Sequence, residues 1–188
     1  MKFILGLLAA AVCVVTQASE TGTLIFNLPL GGQLKPTPRE CTVENITTNN
    51  NKALCWVGKP YIAKDGSKLG SVNLPAPDSL PEWAAYAGFS ASVSKAGQLT
   101  EITVKVEDGN KKMVIANSIN KRFGLPISTT LPRTDLAKAE WSGEGIGIFQ
   151  TCTARTCEVR FLSSEALREM SIQKNNAQRV KAARPDSP

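Results

Sequence analysis

The sequence contains no histidine among its 188 residues. Histidine is the side chain that most often serves as a general base or metal ligand near neutral pH. Its absence excludes Ser–His–Asp catalysis, Cys–His catalysis and histidine-ligated metal sites within this chain. An enzyme built from this sequence would have to use carboxylates, lysine or a serine–lysine pair. We predict that the protein holds neither a metal nor a cofactor.

The sequence also lacks an apolar run long enough to cross a bilayer, which takes about 20 residues. The apolar run at 3–15 follows Lys2 and precedes small residues that end at Ala18. This order is typical of a secretory signal peptide, so we predict cleavage after Ala18 and no stable membrane insertion. Cys13 offers an alternative, lipidation, although a branched residue stands where such sites prefer a small one.

The sequence has no Cys-x-x-Cys pair, which argues against a redox motif or a zinc site. Four cysteines follow the signal, namely Cys41, Cys55, Cys152 and Cys157. Export favours disulfides, and four cysteines allow three pairings. The spacing favours Cys41 with Cys55 and Cys152 with Cys157, because each pair brackets two strand-like arms. We predict a periplasmic or secreted protein, and the short, alanine-rich signal favours a bacterial periplasm.

The clearest structural pattern covers residues 99–126. Apolar and polar residues alternate up to Glu107, which is the period of a strand with one buried face. From Lys111 the apolar residues recur every fourth position, as on one face of a helix, at Ile115, Ile119 and Phe123. Gly124 favours a helix end there, and Pro126 prevents continuation.

The remaining patterns predict an α+β fold with an antiparallel sheet. A strand at 89–93 precedes the strand that ends at Glu107, so the two form a hairpin that leads into the one main helix. Three alternating stretches within 137–161 predict a three-strand meander after the helix. Ser163 or Ser164 could cap a short helix near 165–172.

The chain divides into five predicted parts. After the signal at 1–18, an amino-terminal region at 19–74 contains a hairpin closed by a disulfide. A proline-rich connector at 75–82 leads to the main α+β unit at 83–172. The polar, basic tail at 173–188 is predicted to be disordered.

The helix that ends in Phe123-Gly124-Leu125-Pro126, followed by three strands that open on Trp141, resembles small exported bacterial α+β modules. The outer-membrane assembly lipoproteins and the β-lactamase inhibitor proteins share this layout. The resemblance covers 111–162 and departs from those families in having one helix where they use two. It implies a protein-binding role, and no catalytic residue carries over from it.

Two carboxylates, Glu140 and Glu144, flank Trp141. A carboxylate pair beside an aromatic ring is what a glycan hydrolase uses as acid and nucleophile or base. Acidic residues are also ordinary on the outer face and in the turn of a hairpin, so the pair alone does not establish catalysis.

The candidate binding residues are two aromatics after the connector and four basic residues around the helix, namely Trp83, Tyr86, Lys111, Lys112, Lys121 and Arg122. The aromatics could form a binding edge or fold back as a lid on the core. The formal charge of +6 is spread along the chain and does not favour a nucleic-acid partner. We predict a periplasmic protein-binding module, such as an inhibitor, an immunity factor or an envelope-assembly accessory. The alternatives are a carboxylate-dependent cell-wall glycan hydrolase and a non-catalytic glycan-binding protein.

Overall fold

The computed structural model describes residues 22–44, 53–75, 80–130 and 136–182. The predicted signal peptide, Cys13 and the last six residues lie outside this part of the chain. Within it the fold is α+β, with twelve strands and two α-helices. The strands are β1 (Thr23–Ile25), β2 (Leu28–Leu30), β3 (Arg39–Glu40), β4 (Cys55–Trp56), β5 (Tyr61–Ile62), β6 (Lys68–Asn73), β7 (Gly88–Val93), β8 (Leu99–Val106), β9 (Ser128–Thr130), β10 (Ala137–Gly143), β11 (Ile146–Cys152) and β12 (Cys157–Ser163), and the helices are α1 (Lys112–Phe123) and α2 (Ser164–Ala182).

The strands form one sheet with the order β3-β4-β6-β7-β8-β12-β11-β10-β9. Off this path, β1 pairs with β2, β2 pairs with β8, and β5 pairs with β6. The sheet is mixed, and the prediction of a fully antiparallel sheet is wrong, because β2 runs parallel to β8 and β3 runs parallel to β4. Strand β6 also pairs with β7, so strands from both sides of the predicted connector share one sheet.

Both predicted disulfides are present, Cys41–Cys55 and Cys152–Cys157. The first one does not close an antiparallel hairpin, because β3 and β4 are parallel with Arg39 opposite Cys55. Parallel strands need a crossover of about a dozen residues, and the 14 positions that separate the first cysteine pair suffice. Residues 45–52, between the two cysteines, lie outside the described residues.

The sequence at 23–30 predicts one short strand, but the structure folds these residues into a tight hairpin. Phe26 and Asn27 make its two-residue turn, with φ of 51° and 61°. Positive φ at both positions is what a type I′ hairpin turn requires. The sequence pattern concealed the turn because phenylalanine is rare in this conformation.

One face of the sheet carries aligned rows of inward-pointing residues. The register places Trp141 beside Ile148, Ile148 beside Phe161, and Phe161 beside Ile102. The next row contains Gln150 between apolar neighbours. Helix α1 packs on this face through its buried residues Ile115 and Ile119.

Helix α2 packs on the other face of the sheet. A Cβ at Gly147 would lie 2.6 Å from a methyl carbon of Leu167, so any larger residue there would force the Leu167 side chain to shift. The Ser163 hydroxyl accepts from the Ala166 N–H at 3.3 Å, as the predicted cap requires.

The second helix, which the sequence predicts as a short one near 165–172, continues into the tail predicted to be disordered from residue 173. It runs for 19 residues to Ala182. Its later turns are rich in Gln, Lys, Arg and Ala, which are strong helix formers even without an apolar face. Residues 183–188 lie outside the described part.

The turn between β11 and β12 packs against the residues that lead into α1. A Cβ at Gly109 would lie 2.2 Å from the carbonyl oxygen of Thr153 and 2.6 Å from Ala154 backbone atoms. The disulfide Cys152–Cys157 brackets this turn. It therefore supports the point where the helix begins. The sequence predicts Asn110 as the cap of the helix, but a 3-10 turn at Gly109–Lys111 precedes the helix, and its cap is Asp108, which accepts from the Asn110 N–H at 2.9 Å.

We expect Gly109→Ala to lower the free energy of unfolding by about 1–3 kcal/mol, because the new methyl group meets rigid backbone. The matched control is Gly143→Ala, since a Cβ there meets nothing within 4 Å. Urea unfolding of both oxidised variants measures the difference. Equal stabilities would contradict this packing.

Candidate functional site

Helix α1 is fixed on the sheet by polar contacts in addition to its apolar face, and one of them involves a buried tryptophan. The Trp141 Nε1–H donates to Asn120 Oδ1 at 2.8 Å. Trp141 is 1 % exposed, so its indole donor depends on this partner. The helix ends as predicted at Gly124, whose φ is 81° and whose N–H donates to the Asn120 carbonyl at 3.0 Å.

A cavity of about 340 Å³ lies between α1 and the strands β9, β10 and β11. We call it the α1–β9 groove. Helix residues form one wall, the edge of β9 forms the other, and the tryptophan lies in the floor. The lining residues are Lys112, Met113, Ala116, Asn117, Asn120, Pro126, Thr129, Thr130, Ala137, Lys138, Ala139, Trp141 and Gln150.

Gln150 is the polar residue in the floor of the α1–β9 groove and is 5 % exposed. Its Nε2 donates to the Lys112 carbonyl at 2.8 Å and to Cys152 Sγ at 3.2 Å. Its Oε1 is buried and has no hydrogen-bond partner in the described part of the chain. An unpaired buried acceptor costs about 1–3 kcal/mol, so this site can gain by meeting a donor.

The rim of the α1–β9 groove is basic and lies at an open sheet edge. Lys112 and Lys138 line it, and its lining contains no carboxylate. All three residues of β9 are exposed. Within the described residues, β9 pairs only with β10, so its other edge has no strand beside it.

A second cavity, of about 440 Å³, lies on the other side of α1. We call it the aromatic cavity. The β1–β2 hairpin, the short turn at Glu82–Ala84, the end of α1 and β12 enclose it. The lining residues are Leu24, Ile25, Phe26, Asn27, Leu80, Pro81, Trp83, Ser118, Ile119, Arg122, Phe123 and Phe161.

The structure separates the predicted binding residues. Trp83 and Arg122 line the aromatic cavity, and Lys112 lines the α1–β9 groove. Trp83 is buried, whereas Tyr86 is 98 % exposed, so only the tryptophan folds back on the core. Tyr86, Lys111 and Lys121 line neither cavity.

The two candidate carboxylates are not brought together at a cavity. Glu140 lies on β10 between Trp141 and Ala139, so alternation turns it away from the face that carries Trp141. Glu144 is exposed in the β10–β11 turn, where its carbonyl accepts from Thr23 Oγ1 at 2.8 Å. Neither residue lines the α1–β9 groove or the aromatic cavity.

Other features of the described residues bear on chemistry. Arg160 Nε donates to Glu101 Oε1 at 2.7 Å, and this hydrogen bond raises the pKa of Arg160. The pair lies on the α2 face of the sheet and links β8 to β12. No three His, Cys, Asp or Glu side chains in this part of the chain cluster as metal ligands. None of its helices is long and apolar enough to span a bilayer.

Several lining residues of the two cavities are not among the predicted binding residues. Gln150 can be noticed in the sequence, because it occupies an inward position between Ile148 and Cys152 where the strand pattern predicts an apolar side chain. The sequence gives no comparable indication for Asn120 or Phe26, because their roles depend on contacts with distant segments.

No protein-family model, no curated protein and no solved structure matches this chain. The resemblance to outer-membrane assembly lipoproteins and β-lactamase inhibitor proteins therefore stays an expectation.

We expect Asn120→Ala to lower the free energy of unfolding by about 1–3 kcal/mol, because the buried Trp141 donor loses its partner. Asn117→Ala is the control, since Asn117 is exposed on the same helix. Chemical unfolding monitored by tryptophan fluorescence compares the two. A smaller loss for Asn120→Ala than for Asn117→Ala would show that the contact does not hold the helix.

Proposed function

We propose that this chain is an exported protein-binding module and that its α1–β9 groove binds an extended segment of a partner protein. The observation that carries the proposal is that, within the described residues, the outer edge of β9 has no strand beside it and adjoins an apolar groove whose floor contains a buried acceptor without a partner. We infer that the partner segment forms a β-strand readily and carries an apolar residue next to acidic residues.

The open edge of β9 supplies the main-chain part of this recognition. An exposed sheet edge presents N–H and C=O groups that an extended peptide can pair with. Strand β9 has three residues, Ser128–Thr130, which limits unwanted pairing with other edges. A peptide added there would continue the sheet beyond its last strand.

The groove supplies the side-chain part. Side chains of an added strand alternate, so every second one would point toward α1. Ala116 and Met113 on the helix and Trp141 in the floor offer that side chain an apolar surface. A donor on the peptide would satisfy Gln150 Oε1.

The charge around the groove favours an acidic partner segment. Lys112 lines the groove from the start of α1, and the lining contains no carboxylate. An acidic residue beside the apolar anchor would meet the Lys112 ammonium group. Such rim contacts change the association rate and its salt dependence more than the final affinity.

The disulfides support the compartment part of the proposal. Two cross-links are compatible with an oxidising, exported environment, and the predicted signal at 1–18 gives the route. Inhibition, immunity and envelope assembly are the roles that fit such a module. We do not extend the proposal to glycan hydrolysis, because Glu140 and Glu144 line neither cavity.

The test is selection of a displayed library of random 12-residue peptides on the oxidised mature chain. We expect enriched peptides that combine β-branched residues, an apolar anchor and an adjacent Asp or Glu. Hydrogen exchange should show new protection of β9 amides in the complex. Absence of enrichment, or protection confined to other segments, would refute the proposal.

A matched pair of variants locates the binding. Ala116→Phe fills the groove from the helix side, and we expect it to weaken the selected peptides at least tenfold. Ala177→Phe makes the same change at an exposed position of α2 and should leave affinity unchanged. Thermal unfolding of both variants separates loss of binding from loss of fold. Equal affinities for the two folded variants would place the peptide elsewhere.

A further inference from the structure

We propose that the aromatic cavity is a second, independent binding site, and that its ligand is a small apolar monocarboxylate held by Arg122. The inference does not depend on the α1–β9 groove, which lies on the other side of α1. The proposal rests on three features of this cavity: the Arg122 guanidinium, the unpaired indole donor of Trp83 among the described residues, and the aromatic walls.

The walls of the aromatic cavity select an apolar body. Four rings line it, from Phe26, Trp83, Phe123 and Phe161. Phe26 meets Trp83 and Phe161 edge to face, with ring centroids 6.4 and 5.5 Å apart. Rings arranged in this way can offer both faces and edges to an apolar ligand. The volume of about 440 Å³ is in the range of small-molecule sites.

The charge of the lining selects an anion. Arg122 is the one charged residue among the lining residues, and no carboxylate accompanies it there. In the described residues its guanidinium donates to the Leu24 carbonyl and lies 4.9 Å from the Phe123 ring centroid. A guanidinium has five N–H donors in a planar fork that matches a carboxylate. The Arg122 guanidinium therefore has further N–H donors that can bind a ligand.

A second donor is available in the wall. Trp83 is 5 % exposed, and its Nε1 is buried without a hydrogen-bond partner in the described part of the chain. Indole N–H groups usually find a partner when buried, and an unsatisfied one costs about 1–3 kcal/mol. A ligand oxygen that reaches this donor would recover that cost. Ser118, also in the lining, adds a hydroxyl.

The backbone is left-handed at two lining residues, Phe26 and Asn27, and the strain falls on the phenylalanine because asparagine adopts this conformation readily. Phe26 has φ of 51°, a left-handed conformation that bulky residues rarely adopt. Strain of this kind persists where surrounding contacts hold it, and it concentrates at binding sites. Here the contacts are the rings that enclose the cavity, so the strained turn places Phe26 in the wall.

The ligand class is thus a monocarboxylate with an apolar body, and its body could be aromatic or aliphatic. The experiment is calorimetric titration of the oxidised mature chain with 3-phenylpropionate and, below its micelle concentration, decanoate. The matching alcohols, 3-phenylpropanol and decanol, serve as neutral controls. We expect at least one acid to bind, and to bind at least tenfold more tightly than its alcohol. The better acid identifies the aromatic or the aliphatic class.

Two variants test the assigned donors. Arg122→Gln removes the charge but keeps an amide that can donate to the Leu24 carbonyl, and it should weaken acid binding at least tenfold. Lys121→Gln makes the same charge change next to it, outside the lining, and should change the affinity less than twofold. Trp83→Phe should weaken the acid more than the alcohol, because a charged acceptor gains more from this donor than a hydroxyl oxygen does.

Three results would overturn the proposal. They are no binding of either acid up to millimolar concentration, equal affinity for acid and alcohol, and equal effects of Arg122→Gln and Lys121→Gln. If Arg122→Gln fails to fold, Trp83→Phe decides by the same acid–alcohol comparison. Ala116→Phe, which blocks the groove, should leave acid binding unchanged, so failure of either site can be recognised separately.

Discussion

The attachment of helix α1 to the sheet is the constraint on which the rest of the structure depends. Ile115 and Ile119 bury its apolar face, and Asn120 accepts the indole proton of Trp141. Apolar packing alone tolerates sliding and rotation, whereas a directional hydrogen bond to a buried donor does not. Both cavities use α1 as a wall, so a shift of the helix would change the two together. The contact thus sets the spacing between helix and sheet on either side.

The two cavities occur where local rules of folding are broken. Gln150 places an amide in a row that is otherwise apolar, and Phe26 takes a backbone conformation suited to glycine or asparagine. Among the described residues, Trp83 and Trp56 each bury an indole donor without a partner, and Trp83 lines the aromatic cavity. A sequence selected only for stability would avoid these features, and such departures concentrate at functional sites.

The sequence predicted what depends on local pattern. Alternation located the strands around Ile102 and Val159, the four-residue period and Gly124 fixed the helix and its end, and spacing gave both disulfide pairings. Parallel pairing of β3 with β4 could not be predicted, because it depends on how a crossover folds. The cavities could not be predicted either, since Asn120 and Trp141 meet only after the helix packs. Three predicted binding residues, Trp83, Arg122 and Lys112, do line a cavity, and the inward-facing Gln150 was a further signal in the sequence.

The most direct test of this account is a double-mutant cycle on Asn120→Ala and Trp141→Phe, with free energies of unfolding measured by urea titration. If the hydrogen bond fixes α1, the two changes should be strongly non-additive, with a coupling energy of about 1 kcal/mol or more. Trp141→Phe removes the donor, so Asn120→Ala should then cost little. Additive effects, within about 0.5 kcal/mol, would show that the helix is held without this contact and would contradict the account.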